Sequence, residues 1–239
     1  MLKLQKIWNT LLDILFPPIC IICKRHLEVK TRPLHMCAEC LGCLKRYETL
    51  FCPVCQARIP EGKKICHPRS LYLMGAATSY ADDSARKLIW TLKYERVRAA
   101  ALPMAIILAE YVRSLRLPIE EYTIIPIPLH SSRERERGFN QSALLAEHLG
   151  QLLSLPIAAH AMIRIRNTTP QAEIEDQEAR ERNIKECFAI DLKTLPEKTK
   201  SILLIDDVST SGATLNEAVK TLRTAGIKNI IGLVFAKAR

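Results

Sequence analysis

Residues 202–214, ILLIDDVSTSGAT, run from four apolar residues into two adjacent aspartates and then into a hydroxyl-rich stretch around one glycine. Four consecutive aliphatic residues are typical of a central strand in a parallel sheet, where both faces are covered. Small polar residues between such a strand and a helix expose successive backbone N–H groups, which form a cradle for an anion. The stretch therefore predicts a phosphate-binding turn at the carboxyl end of a strand.

The two carboxylates of Asp206 and Asp207 would repel a bare phosphate. They suit a phosphate ligand that also presents hydroxyl donors or carries a divalent cation, because a ribose diol can donate to carboxylates and Mg²⁺ binds carboxylates together with phosphates. A ribose 5-phosphate satisfies both halves of the pattern. The stretch lacks the spacing of a Walker A loop and of a G-x-G-x-x-G dinucleotide loop.

Strand-like and helical segments alternate through the rest of the chain. The strand patterns cover residues 71–80, 122–129, 201–208 and 228–236, and the helical patterns cover residues 83–92, 99–115, 139–153 and 214–225. This alternation predicts an α/β fold with a mainly parallel sheet flanked by helices. Sheets of this kind bind ligands beyond the carboxyl ends of their strands.

Eight of the nine cysteines fall within the first 68 residues, and Cys187, standing alone, is expected to be a small core residue. Paired C-x-x-C motifs without a secretory signal are typical of metal ligands in a reducing cytoplasm. We therefore predict a cysteine-rich metal domain over residues 1–68, a second domain over residues 69–239, and a cytoplasmic location.

The first four cysteines have a spacing that suits one tetrahedral zinc site. They are Cys20, Cys23, Cys37 and Cys40. A site closed by four protein ligands is structural rather than catalytic.

A second group, Cys52, Cys55 and Cys66, lacks an obvious fourth cysteine. The missing ligand could be His67 or Cys43, or the second site could be empty. The sequence leaves these alternatives open.

Residues 1–16, MLKLQKIWNTLLDILF, form an amphipathic helical pattern that ends at two prolines. We expect this helix to dock on its own domain, with contact to a membrane surface or a partner as the alternative.

No apolar run reaches the roughly 18 residues of a membrane span. The formal net charge is +10, but four thiolates around one zinc ion form a negative site, so the charge is weak evidence for nucleic acid.

The segment LLIDDVSTSGATL resembles the signature of type I phosphoribosyltransferases that binds phosphoribosyl pyrophosphate (PRPP). The resemblance implies that Asp206 and Asp207 bind the ribose hydroxyls and are the catalytic residues. It implies that the loop that follows holds the 5-phosphate, through Ser209, Thr210, Ser211, Gly212, Ala213 and Thr214.

The segment PIPLHSSRERERGFNQS and the pattern around RIRNTTPQ resemble the ComF family, whose members join an amino-terminal cysteine ribbon to the phosphoribosyltransferase fold. The family is linked to competence and DNA uptake in bacteria, which implies single-stranded DNA and DNA-uptake proteins as partners. Guanidinium and ammonium groups suit the pyrophosphate charge. The candidates are Lys93, Arg133, Arg137, Arg164 and Arg180.

Three functions fit these motifs. The first is a phosphoribosyltransferase that uses PRPP with Mg²⁺ and releases pyrophosphate when an acceptor attacks the sugar. The second is a non-catalytic PRPP or phosphate sensor that binds single-stranded DNA during transformation, and the third is a scaffold with a degenerate pocket. The intact aspartate pair and arginines count against the third. The sequence identifies neither an acceptor nor a general base.

Overall fold

The computed structural model of the chain describes residues 13, 15, 17–60, 66–67, 70–169, 174, 176–197 and 199–238. The amphipathic helix predicted over residues 1–16 therefore lies almost entirely outside the described residues. Within the described part, no helix has both the length and the apolar character needed to cross a bilayer.

Seven helices and seven strands are described, and they include each strand and helix that the sequence predicts beyond residue 70. In chain order they are α1 (Ala38–Cys43), β1 (Leu50–Phe51), β2 (Leu73–Ser79), α2 (Asp83–Lys93), α3 (Ala101–Ser114), β3 (Tyr122–Pro126), α4 (Ser131–Arg137), α5 (Gln141–Leu153), β4 (Met162–Arg164), α6 (Gln177–Ile184), β5 (Phe188–Ile190), β6 (Ser201–Ser209), α7 (Ala213–Thr224) and β7 (Asn229–Lys237). Short 3₁₀ segments cover Arg32–Leu34, Arg98–Ala100, Ile119–Glu121 and Leu192–Thr194.

The main sheet has five strands in the order β1-β2-β7-β6-β3. Strands β2, β7, β6 and β3 run parallel to one another, and β1 pairs with β2 as an antiparallel strand at one edge. The predicted α/β fold with a mainly parallel sheet is confirmed. A second, two-stranded antiparallel sheet pairs β4 with β5, which the sequence analysis did not predict.

Strand β6 is covered on both faces, as its aliphatic run indicates. Leu203 and Ile205 pack in a core that includes side chains of α2, α3 and α5. Ile202 and Leu204 pack on the other face, in a core that includes side chains of α7. All four are at most 1 % exposed, and burial of each such side chain stabilises the fold by about 1.5–3 kcal/mol.

The carboxyl edge of the sheet opens at the acidic pair because β3 stops before β6 does. Pairing of β3 with β6 ends at Pro126 opposite Ile205, whereas pairing of β6 with β7 continues to Ser209 opposite Lys237. Just beyond Pro126, the Ile127 N–H still donates to the Ile205 carbonyl at 2.8 Å. Asp206 therefore begins the part of β6 that has lost its neighbour on one side.

The cysteine-rich segment supplies part of the main sheet. The N–H of Tyr47 donates to the Ala77 carbonyl at 2.8 Å, and Thr78 Oγ1 donates to the Lys45 carbonyl at 2.7 Å. Strand β1 continues this pairing along β2. The edge of the sheet therefore comes from residues on the amino-terminal side of position 68, while the domain boundary at 68/69 stays a prediction.

The cysteine-rich segment also packs against the helical layer. Ile21, Leu27 and Met36 are buried in the same core as Leu88 of α2. Lys87 Nζ, on the same helix, donates to the Ile22 carbonyl at 2.7 Å. The helix that carries Lys93 is therefore anchored on the first group of cysteines.

Candidate functional site

The predicted ligand-binding turn lies at the carboxyl edge of the sheet, where β6 leads to α7. Gly212 is the N-cap of α7 and has φ +80°, a left-handed conformation that a residue with a Cβ adopts only at a cost. Gly212 has no side chain to cap the first turn of α7, and the Ala213 N–H in this turn donates to Ser211 Oγ at 3.4 Å. This geometry suits an anion at the helix N-terminus.

Asp206 is oriented by two hydrogen bonds to one carboxylate oxygen. Ser142 Oγ and the N–H of Asp207 each donate to Asp206 Oδ1 at 2.9 Å. Ser142 is positioned by Asn140, whose side chain accepts from the Ser142 N–H and donates to the Ile127 carbonyl, both at 3.0 Å. The asparagine of the R-G-F-N-Q motif is thus the N-cap of α5, and the motif holds that helix against the end of β3.

Asp207 is buried, at 4 % exposure, and forms an ion pair with Lys93. Lys93 Nζ lies 2.6 Å from Asp207 Oδ2, at the carboxyl end of α2. At this distance the Lys93 ammonium is a donor to Oδ2, and the hydrogen bond and opposite charges hold the two side chains together. An ionised carboxylate offers about four lone-pair sites, so Asp207 can accept a hydroxyl group of a ligand as well as the Lys93 ammonium.

Burial and mutual repulsion shift the charges of this group. Burial, followed by the negative charge of Asp207, raises the pKa of Asp206 to about 7. Burial acts to lower the pKa of Lys93, but the charges of Asp207 and Asp206 outweigh it, so the pKa of Lys93 is raised. Lys93 is therefore a cation, and Asp206 changes charge near neutral pH.

One cavity of about 270 Å³ brings together nearly all the residues predicted to bind PRPP. Its wall contains both aspartates and the entire loop, namely Asp206, Asp207, Ser209, Thr210, Ser211, Gly212, Ala213 and Thr214. It also contains four of the five predicted cations, Lys93, Arg133, Arg137 and Arg164. From the sequence, the aspartates and the loop were linked by the chemistry of a ribose phosphate, and the cations were added only through the family resemblance.

Two of the arginines converge on one turn. Arg133, on α4, donates to the carbonyl of Thr168, and Arg164, at the end of β4, donates to the Thr168 hydroxyl. Burial lowers the pKa of Arg164, whose Nε lacks a hydrogen-bond partner among the described atoms. A desolvated guanidinium with an unsatisfied N–H suits an oxyanion.

Arg180 lies on the other side of the loop. Its Nε donates to the Ile174 carbonyl at 2.7 Å, and its Nη1 lies 3.4 Å from Thr210 Oγ1. It lines a neighbouring cavity of about 720 Å³ between α6, α7 and the second cysteine motif. Arg180 thus contacts the predicted phosphate loop from outside the cavity that contains the aspartates.

The first four cysteines form a cluster that fits one zinc ion. The sulfur atoms of Cys20, Cys23, Cys37 and Cys40 all lie within 4.8 Å of one another, and the Cys23 and Cys37 sulfurs are 3.7 Å apart. A tetrahedral zinc ion with Zn–S bonds of ~2.3 Å holds its sulfurs about 3.8 Å apart. Hydrogen bonds from the backbone and side chain of Arg25 lower the pKa of Cys23 to about 6, which favours the thiolate that zinc needs.

The second cluster is completed by His67, one of the alternatives that the sequence left open. The ligand atoms of Cys52, Cys55, Cys66 and His67 lie within 4.8 Å of one another. Cys52 Sγ is 3.3 Å from His67 Nδ1, and Cys55 Sγ is 3.6 Å from Cys66 Sγ. Cys43 is exposed at the end of α1 and belongs to neither cluster. A Cys₃His set is an ordinary structural zinc site.

Two residues at the candidate site were not predicted. Ser142 was quoted within a motif without a role, and its bond to Asp206 depends on the packing of α5 beside β6. Trp90 lines the cavity together with Tyr94, the C-cap of α2, and it had no predicted role. Neither residue carries a signal by which sequence alone separates it from ordinary helix residues.

Family models match both parts of the chain. Residues 11–68 match the double zinc ribbon domain, and residues 140–239 match the phosphoribosyl transferase domain. The first match covers both cysteine clusters, which confirms a zinc-binding segment, and the second covers the acidic pair and its loop.

Curated relatives are similar over nearly their whole length. Competence protein F of Haemophilus influenzae is 28 % identical, over 88 % of this chain and 93 % of its own. DNA utilization protein YhgH of Escherichia coli K12 is 29 % identical, over 88 % and 92 %. Competence protein ComFC of Bacillus subtilis is 28 % identical, over 87 % and 90 %. With a double zinc ribbon followed by a phosphoribosyl transferase domain, and with these relatives, the chain belongs to the ComF family.

Proposed function

We propose that this chain binds PRPP in the cavity at the end of β6. The observation that carries the proposal is the joint placement, in one cavity, of the Asp206–Asp207 pair, the N-terminus of α7 and four cationic side chains. A phosphate alone would need the helix terminus and the cations but would be repelled by the carboxylates. A phosphorylated sugar with a diol uses all three.

Each part of the ligand has a matching group. The 5-phosphate would lie at Gly212 and the first turn of α7, where N–H groups are available. The ribose hydroxyls would donate to Asp206 and Asp207, because a carboxylate can accept more than one donor. Lys93 neutralises Asp207 in the free protein, and the arginines of the cavity would neutralise the pyrophosphate. When bound with PRPP, Mg²⁺ would supply further positive charge to the pyrophosphate.

As an enzyme, the protein would transfer the phosphoribosyl group to an acceptor. The bond between C1 of the ribose and the pyrophosphate oxygen breaks, the electron pair leaves with pyrophosphate, and a nucleophile forms the new bond to C1. The carboxylates of Asp206 and Asp207 would stabilise positive charge that develops on the sugar, and Arg133, Arg137 and Arg164 would stabilise the leaving group. In the structure without a ligand, these charged side chains already line the cavity.

A sensor is the second candidate, and the composition of the cavity wall favours it. Among the described residues that line this cavity, Asp206 and Asp207 are the carboxylates, and histidine is absent. A transferase that activates its acceptor through a general base would have to recruit that base from elsewhere or from the acceptor itself. Release of pyrophosphate across a panel of bases separates the candidates, since a transferase releases it and a sensor binds PRPP unchanged.

The binding proposal is tested by calorimetry with PRPP and Mg²⁺. We expect the double variant Asp206→Asn with Asp207→Asn to lose affinity by roughly a hundredfold or more, because two charge-assisted hydrogen bonds are weakened. Asp83→Asn, which changes an exposed aspartate on α2, is the matched control and should bind like the unsubstituted chain. Equal PRPP affinity in the double variant and this control would refute the site.

The relatives named for competence and DNA utilization support a role for this chain in the handling of incoming DNA. Reduced thiols are needed for both zinc clusters, which supports a cytoplasmic location. Single-stranded DNA is the proposed macromolecular ligand. If basic side chains bind its phosphates, affinity should fall steeply as salt increases, and a flat salt response would contradict this part of the proposal.

A further inference from the structure

Two aromatic rings stand together in water at the rim of the cavity. Trp90 and Tyr94 lie one turn apart on α2 and its C-cap, and each is 54 % exposed. Their ring centroids are 4.4 Å apart with an interplanar angle of 37°. Both side chains line the same cavity as Asp206 and Asp207. The pair thus forms a broad aromatic surface that opens toward the proposed sugar site.

This exposure is unusual for the helix that carries it. The neighbouring apolar residues Leu88, Ile89 and Leu92 are at most 2 % exposed, so α2 buries its apolar face in the core. Trp90 and Tyr94 lie outside that face although their area would make burial favourable. Large exposed aromatic groups beside a polar cavity are typical of binding surfaces.

The charges around the rings indicate what they bind. Lys93, between the two rings in sequence, turns inward to Asp207, and Arg133 and Arg137 line the same cavity from α4. An aliphatic ligand gains nothing from this cationic rim. A planar heteroaromatic ring attached to, or next to, a sugar phosphate uses both the aromatic surface and the cations.

We propose that Trp90 and Tyr94 form a stacking site for an unpaired nucleobase at the mouth of the PRPP cavity. The assignment rests on the proposed function in one respect, namely that the adjoining cavity holds a phosphoribosyl group. The base must be unpaired, because a duplex covers the faces of its bases with their neighbours. It can come from a free nucleoside or from a single strand, and both sources share this chemistry.

Trp90 fluorescence reports stacking directly. The chain has two tryptophans, so Trp90 is the only tryptophan in the Trp8→Phe variant. The variant is otherwise full length and is loaded with zinc. It is titrated with three ligands, namely adenosine, a short thymidine oligonucleotide and an abasic oligonucleotide of equal length. Each titration is carried out once with PRPP and once without it. We expect the ligands that carry bases to quench Trp90 and the abasic strand to leave it unchanged.

Quenching of Trp90 fluorescence by any ligand that carries a base supports the stacking site, and the ligand that quenches identifies the source of the base. Quenching by adenosine indicates a free nucleoside as the source of the base, whereas quenching by the oligonucleotide alone indicates a strand. The stacking site is refuted if no ligand that carries a base quenches Trp90, with or without PRPP. It is also refuted if the abasic strand quenches Trp90 equally.

Substitution provides a second readout, by a labelled-ligand assay that does not use tryptophan. Tyr94→Ala and Trp90→Ala should each weaken binding of the quenching ligand about tenfold, and Tyr94→Phe should retain it, because stacking needs the ring rather than the hydroxyl. Leu192→Ala removes an equally exposed apolar side chain elsewhere and should bind normally. Thermal melting of each variant verifies folding. Unchanged affinity in both folded alanine variants overturns the proposal.

Failure of this proposal is distinguishable from failure of PRPP binding. Calorimetry with PRPP on the unsubstituted chain tests the adjoining cavity by itself. PRPP binding without quenching by any base rejects the stacking site alone, whereas quenching without PRPP binding rejects the proposed function and keeps the aromatic site.

Discussion

Ser142 Oγ donates a hydrogen bond to Asp206 Oδ1 at 2.9 Å, which joins the first turn of α5 to the end of β6. The N–H of Asp207 donates to the same oxygen. Both bonds act to lower the pKa of Asp206, against the larger effects of burial and of the Asp207 charge. The charge of the residue proposed to bind the ribose diol therefore depends on a serine from another helix.

Replacement of this serine should weaken PRPP binding in a pH-dependent way. In Ser142→Ala, Asp206 loses a donor that favours its charged form, so its pKa should rise above about 7. We expect PRPP affinity to fall about fivefold at pH 8 and by a larger factor at pH 6.5, measured by calorimetry. Ser132→Ala, on α4, removes a serine whose hydroxyl contacts His130 instead. An equal loss at both pH values would contradict the link to Asp206.

The Asp206 carboxylate should destabilise the unliganded protein at neutral pH. Its pKa is raised from 3.8 to about 7 in the folded state, so the folded state binds more protons than the unfolded state between these values. The free energy of unfolding therefore falls as pH rises from about 4 to about 7. We expect Asp206→Asn, which keeps an acceptor for Ser142, to be more stable than the unsubstituted chain by on the order of 1 kcal/mol at pH 8.

Urea unfolding at several pH values measures this difference. It should vanish near pH 4, where Asp206 is largely protonated in the folded state. Asp191→Asn changes an exposed aspartate after β5 and serves as the control. A difference between Asp206→Asn and the unsubstituted chain that stays constant from pH 4 to pH 8 would show that the carboxylate charge is not its cause.

The Lys93–Asp207 pair should be strongly coupled. Lys93→Met leaves the buried Asp207 carboxylate without its cation and should lower the free energy of unfolding by about 2 kcal/mol at pH 8. Adding Asp207→Asn removes the stranded charge and should restore about half of this loss. Lys220→Met, at an exposed lysine beside Glu217, should cost much less. Strictly additive losses in the Lys93 and Asp207 double variant would argue against the ion pair.

Local patterns in the sequence were sufficient to predict the centre of the fold. The aliphatic run before Asp206 predicts a buried parallel strand because such a strand needs apolar residues on both faces. The glycine and hydroxyls after it predict the turn, since the left-handed conformation of Gly212 is a local requirement. The predicted strand ended at residue 208, and β6 ends at Ser209.

Features that depend on distant contacts could not be predicted in the same way. Strand β1 has two residues and no periodicity of its own, and it exists because β2 offers a free edge. The sheet of β4 and β5 and the helices α4 and α6 are short and charged or irregular, so they have weak patterns. Ser142 and Trp90 acquire their roles only when α5 and α2 pack beside β6.

The second zinc site shows how geometry resolves an ambiguity that spacing leaves. His67 and Cys43 were both candidates for its fourth ligand, and only His67 lies with Cys52, Cys55 and Cys66. We expect the purified chain to hold one zinc ion in each of its two clusters, and His67→Ala to lose the ion of the second cluster. Cys43→Ala, the matched control, should retain both, and His67→Cys should retain both because thiolate also binds zinc tetrahedrally. Metal content measured by elemental analysis after dialysis decides the outcome, and loss of zinc from Cys43→Ala with retention in His67→Ala would reverse the assignment.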